Sequence, residues 1–192
     1  RPGSRPGART GSGPRGRQPA QTGRAPVDVR ALEAVLPLHA PADTALRRFF
    51  REHPEMGRRD RALVAETIFD VLRNRRLYAH LAQSGDGPLA QRLVAVSRIR
   101  RGLPVRSDRA DGSQADWLAR ARDIEPATLP FAIRFSLPDW LAEVVAARPD
   151  AEALAAALLE PAPLDLRVNA ARSDRPAAIA VLAEDHIDAE PL

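Results

Sequence analysis

The chain has 192 residues, with 29 Lys+Arg against 25 Asp+Glu, and only 4% of it is aromatic. Every basic residue is arginine and cysteine is absent, which excludes disulfides, thiolate zinc sites and cysteine nucleophiles. No apolar run approaches the length needed to cross a bilayer, and the start lacks a signal peptide's apolar region. No membrane partner is therefore expected, and the cytoplasm is the expected compartment.

Charge is unevenly placed. Residues 1–30 carry seven Arg and one Asp, and residues 44–106 carry fourteen Arg and six acids. Residues 107–192 reverse the balance, with eight Arg and sixteen acids. Residues 1–26 are Gly, Pro, Arg, Ser and Gln with almost nothing apolar. Such a segment cannot bury enough surface to offset its ordering entropy, so a disordered basic tail is expected. The chain opens on arginine, so its natural amino terminus is expected to lie upstream.

From Asp28 the pattern becomes helical. Val29, Leu32, Val35 and Leu36 recur at helical spacing until Pro37. Asp43 or Thr44 is a candidate cap for a second helix, with Leu46, Phe49 and Phe50 inward and Pro54 at its end. The strongest signal runs from Asp60 to about Gln83. Val64, Ile68, Val71 and Leu72 form its inner stripe, Arg59, Glu66, Asp70 and Arg73 face water, and a bend is expected near Asn74. Asp70 and Arg73 are placed to pair across one turn.

Ser84-Gly85-Asp86-Gly87-Pro88 is a turn cluster. Leu89, Leu93, Val96 and Ile99 define the next helix, and residues 103–112 read as an exposed loop. Ser113 or Asp116 opens a helix through Trp117, Leu118 and Ile124, and Pro126 and Pro130 make the following stretch irregular. Pro138 lies in the first turn of a helix whose inner residues are Trp140, Leu141, Val144 and Val145. Asp150 is a candidate cap for a helix packing Leu154, Leu158 and Leu159.

At Pro161 the pattern changes again. Leu164, Leu166 and Val168 alternate with Asp165, Arg167 and Asn169, which predicts a two-faced strand. Ser173-Asp174 can cap a helix with Pro176 in its first turn and Ile179 and Leu182 inward, and residues 186–190 read as a second strand. The expected fold is mainly α. It comprises a disordered tail (1–26), a bundle of about seven or eight helices (27–160), and the first strand–helix–strand of an α+β domain (161–192).

Most catalytic signatures are absent. Without lysine there is no Walker loop, no serine sits in a Gly-x-Ser-x-Gly elbow, and no Gly-x-Gly-x-x-Gly follows a strand. His39, His53, His80 and His186 lack metal-ligand spacing, so no metal is expected and no catalytic or cofactor-binding residue is assigned. Three arginine clusters remain as candidate RNA contacts: Arg58, Arg59 and Arg61; Arg73, Arg75 and Arg76; and Arg98, Arg100 and Arg101. Guanidinium forks suit phosphates and stack on bases. The structural alternatives are neutralisation of the first cluster by Asp60 and Glu55, and complementation of a helix C-terminus by the second. Tyr78 is a candidate for base stacking, whereas Phe49, Trp117 and Trp140 fit a core. On the predicted strand Arg167 and Asn169 project the same way, about 7 Å apart. That spacing suits a phosphate beside a base edge or sugar hydroxyl, unless Arg167 bridges to an acid such as Asp165, or to a domain outside this chain, and fixes an interdomain angle.

Leu164-Asp165-Leu166-Arg167-Val168-Asn169, preceded by Ser136-Leu137-Pro138-Asp139-Trp140-Leu141, resembles the Sun/Rsm family of bacterial RNA cytosine-5 methyltransferases. Arg58-Arg59-Asp60-Arg61-Ala62-Leu63 through Asp70-Val71-Leu72-Arg73 is similar to that family's amino-terminal helical domain, which is like the RNA-binding protein NusB. The resemblance covers roughly residues 28–192. It implies a cysteine thiolate that attacks C6 of cytosine, a second cysteine that assists release, and S-adenosylmethionine as methyl donor. All of these would belong to a catalytic domain beyond Leu192. It further implies that this segment holds RNA, ribosomal by family, and is inactive alone. The alternatives of different class are a non-catalytic NusB-type antitermination module and a helical protein-interaction scaffold using the acidic half.

Overall fold

A computed structural model describes residues 25–105, 112–162 and 164–191. The greater part of the predicted tail, much of the predicted loop at 103–112, and Pro163 lie outside the described residues. The chain divides into two compact units, between Ala142 and Glu143. That division precedes the junction expected at 160/161.

The first unit is a helical bundle. It contains α1 (Val27–Val35), α2 (Ala42–Glu52), α3 (Arg58–Arg73), α4 (Arg75–Leu81), α5 (Leu89–Arg100), α6 (Gly112–Asp123), a 3-10 turn (Pro126–Thr128) and α7 (Phe131–Arg134). Helix α8 (Asp139–Ala146) runs across the division. Proline marks several helix starts: Pro26, Pro41, Pro88 and Pro130 each sit immediately before a helix, with ψ between 138° and 149°. The fixed φ sets the entry angle, and the missing N–H would have had no helical partner there. Asp43 and Thr44 therefore do not cap α2. Asp43 lies inside its first turn and pairs with Arg47 at 3.0 Å.

Helix α5 is the hub, packing against α1, α3, α4 and α6. Its run Leu93, Val94, Ala95, Val96 and Ser97 is buried on every side, as expected of a central helix. The predicted stripe of α3 is inside, with Ile68 and Val71 fully buried and Val64 nearly so. The bend expected near Asn74 is a break. Asn74 closes α3 and precedes α4, and its amide donates to the Asp70 carbonyl and carboxylate. Gly102, at φ 67°, ends α5 in a left-handed turn, where Leu103 N–H reaches the Arg98 carbonyl. Ser136 does the same for α7 at φ 52°, with Leu137 N–H on the Ala132 carbonyl.

Two inward assignments on α8 are corrected. Trp140 is 66% exposed and Val144 is also exposed, whereas Ala142 and Val145 are buried. A helix of this length can bury only one stripe, and these alanine and valine positions occupy it.

The second unit holds α9 (Ala151–Leu159) and α10 (Arg175–Glu184). Asp150 does not cap α9, because its carboxylate is taken by Arg148 at 2.9 and 3.2 Å. Asp174 does cap α10, accepting from Ala177 N–H at 2.8 Å, with Pro176 in the first turn. Among the described residues neither flanking segment is a strand. Residues 164–169 are irregular, and Leu164 and Leu166 are exposed. The nearby hydrogen bonds are local, where Arg172 and Ser173 N–H reach the Asn169 carbonyl. Alternation specifies a strand only when a neighbouring chain supplies the ladder. On the other side, His186 belongs to the closure of α10. It stands at φ 59°, and Ile187 N–H bonds the Leu182 carbonyl at 2.9 Å.

Candidate nucleic-acid interface

The nine arginines of the three clusters separate into those the fold employs and those it leaves free. Arg61 is employed. Its Nε donates to the Met56 carbonyl at 2.9 Å, and its guanidinium lies 5.8 Å from the Phe50 ring centre. Arg76 donates to the Leu137 carbonyl and pairs with Asp139, both at 2.6 Å. Beside it, Ser136 Oγ accepts from Leu77 N–H at 3.2 Å, so a hydroxyl 59 residues away satisfies an early amide of α4.

Every member of the third cluster is engaged within the fold. Arg98 makes a buried ion pair with Asp28, donating from Nε at 2.9 Å and Nη2 at 2.6 Å to the same oxygen. Its Nη1 reaches the Pro104 carbonyl, and the other Asp28 oxygen accepts Val29 N–H at 3.0 Å. Arg100 donates to the Arg122 and Ile124 carbonyls and so closes the C-terminal end of α6. Arg101 bonds Thr67 and pairs with Glu66 at 3.1 Å.

Four members remain. The guanidinium groups of Arg58, Arg59, Arg73 and Arg75 form no hydrogen bond, ion pair or ring contact among the described residues. Arg58, Arg59 and Arg75 are exposed and Arg73 is half-buried. Neither Asp60 nor Glu55 neutralises the first pair. Arg58 and Arg59 occupy the first turn of α3, where the helix dipole disfavours cations by a few tenths of a kcal/mol each. Nothing described in the chain offsets that cost. In the second unit, Arg167 is exposed with no partner among the described residues, so the bridge to Asp165 is not formed. Asn169 folds back onto Ala171 N–H at 3.1 Å, which makes it a turn former.

Two sequence-derived roles change. Asp70 is half-buried and does not pair with Arg73. Its Oδ2 accepts from Tyr78 Oη at 3.0 Å and Ser97 Oγ at 2.5 Å, and its Oδ1 accepts from Asn74. Tyr78 is consequently buried and cannot offer a face to a base. Burial first, and then the adjacent Asp70 carboxylate, push its hydroxyl pKa well above the ordinary value. The residue that sequence reasoning passed over is Phe69, on α3 and 39% exposed. Its signal was phase, since it falls on the polar side of the Val64–Ile68–Val71 stripe.

A cavity of about 100 Å³ beside the Asp28–Arg98 pair, lined also by Leu63 and Thr67, is well below the roughly 300–1,000 Å³ of small-molecule sites. No group of three His, Cys, Asp or Glu among the described residues could hold a metal ion, and no described helix is long and apolar enough to cross a membrane.

With the free arginines located, the comparison with known families bears on their use. Residues 137–192 match the family model of the ferredoxin-like domain of RsmF/B-like methyltransferases. No curated protein and no solved structure matches the chain. The matched region begins at Leu137, the residue whose carbonyl Arg76 holds, and covers α8, α9 and α10. The sequence has no cysteine, and the described residues have no glycine loop following a strand.

Proposed function

We propose that this chain is the RNA-holding amino-terminal region of an S-adenosylmethionine-dependent ribosomal RNA cytosine-C5 methyltransferase. The match of residues 137–192 to a domain of RsmF/B-like methyltransferases carries this reading. The arginine-rich helical unit ahead of that domain supports it, with four guanidinium groups that have no partner among the described residues. In this reading the first unit acts as the NusB-like RNA-binding domain. Because the sequence has no cysteine to supply a thiolate, its proposed part in the reaction is to grip and orient RNA. Methyl transfer belongs to other residues of the enzyme.

Binding of a structured ribosomal RNA fragment, measured by fluorescence anisotropy across a salt series, tests the proposal. Each phosphate neutralised contributes a slope of about −0.7 to −0.9 in log affinity against log salt. Replacing Arg58 and Arg59 by Gln should make the slope shallower by about one to two. An unchanged slope moves the contact away from α3.

A further inference from the structure

We infer that the outer face of α3 binds unpaired RNA, with Phe69 as a base-stacking platform between arginines that hold phosphates. This rests on the RNA-holding role proposed above and names the form of RNA and the side chain that reads it. Arg58, Ala62, Ala65, Phe69 and Arg73 stand at i, i+4, i+7, i+11 and i+15, and so fall on one stripe of the helix. The stripe is about 22 Å long from Arg58 to Arg73, with Phe69 about 6 Å before its C-terminal end. Arg59 flanks it at the start, and Arg75 follows at the beginning of α4.

The charges along this face are asymmetric. Glu66 is engaged by Arg101, and Asp70 is engaged by Tyr78, Ser97 and Asn74. Asp60 lies about half a turn away from the Phe69 line. The cations of the stripe have no such partners among the described residues, so the face presents unpaired positive charge around an exposed aromatic ring. A polyanion complements the charge, and a nucleic acid brings a flat ring with every phosphate to stack on Phe69. In a duplex those rings are stacked and paired, whereas in a loop or single strand they are free to splay onto a side chain. An acidic peptide without aromatic residues would satisfy the arginines and leave the ring without a stacking partner.

The test compares a short unstructured RNA with a duplex of the same sequence, each fluorescein-labelled, on the full chain. Phe69→Ala and Phe69→Leu should each weaken single-strand binding about tenfold and leave duplex binding unchanged. Phe69→Leu keeps the apolar volume and loses the π face, so an unchanged melting temperature with weakened binding separates stacking from folding. Phe69→Trp should retain affinity, and its added fluorescence should be quenched by the single strand. If Phe69→Leu binds the single strand as the parent does while Arg58→Gln and Arg73→Gln still flatten the salt slope, the stacking role is overturned and the RNA-holding role stands. If none of the arginine replacements alters the slope, the contact lies away from α3 and this inference falls, and if the full chain binds neither RNA the RNA-holding role falls with it.

Discussion

Replacing Asp28 by Ala should destabilise the first unit more than any exposed ion pair could. Its side chain is 4% exposed and that of Arg98 is 21% exposed, so neither charge is well hydrated in the fold. Removing the carboxylate strands two guanidinium donors and leaves Val29 N–H without its acceptor. One-sided loss of a buried pair costs about 3–5 kcal/mol. Arg98 keeps its bond to the Pro104 carbonyl and some access to water, so the lower end applies, about 3 kcal/mol. For a unit of this size that lowers the melting temperature by on the order of 15 °C. Urea unfolding followed by fluorescence of Trp117, which is buried and donates to the Leu81 carbonyl, reads the change in this unit. Arg98→Met should cost at least as much, because it abandons the more deeply buried carboxylate. The double replacement Asp28→Leu with Arg98→Met should recover most of the loss, since an apolar pair of similar volume needs no desolvation. A loss below about 1 kcal/mol for Asp28→Ala, the level of an exposed pair, would refute the burial argument.

Ile68→Asp places an unpaired charge at a fully buried position and should abolish cooperative melting by circular dichroism. Gly85→Ala would put its Cβ 2.6 Å from Cε2 of Trp117, so stability should fall by about 1–3 kcal/mol with a change in indole emission. The alkaline limb of stability should belong to Tyr78 alone, because the chain has one tyrosine and neither lysine nor cysteine. Its folded pKa is raised, so its contribution is complete below the unfolded value of about 10 and is lost as pH rises beyond it. Phenolate absorbance should therefore appear together with loss of helical ellipticity. Reversible titration near pH 10 with the fold intact would show that Tyr78 is not held against Asp70.

The free arginines could not be told from the employed ones by spacing. Arg75 and Arg76 are neighbours at the same helix start, yet Arg76 reaches Leu137 and Asp139 while Arg75 reaches nothing described. The difference lies in which direction each side chain leaves α4 and what a segment some sixty residues later presents there. Arg98 and Asp28 are 70 residues apart, so no local pattern could pair them. The family resemblance, by contrast, was legible where its residues are contiguous, and the matched region includes Ser136's neighbour Leu137 through Asn169.

By itself the sequence determined helices α1, α2, α3, α5 and α6, the inner face of α3, a bend near Asn74, and the Asp174 cap of α10. Each rests on contacts within about one turn, where hydrogen bonds and side-chain phase depend only on near neighbours. The tertiary structure decided which charges are free, that Tyr78 is buried against Asp70, that Trp140 stands exposed, and that residues 164–169 carry no strand among those described. Those outcomes depend on partners supplied from elsewhere in the chain. An arginine is free, a tyrosine buried or a strand laddered only with respect to groups that three-dimensional packing brings to it.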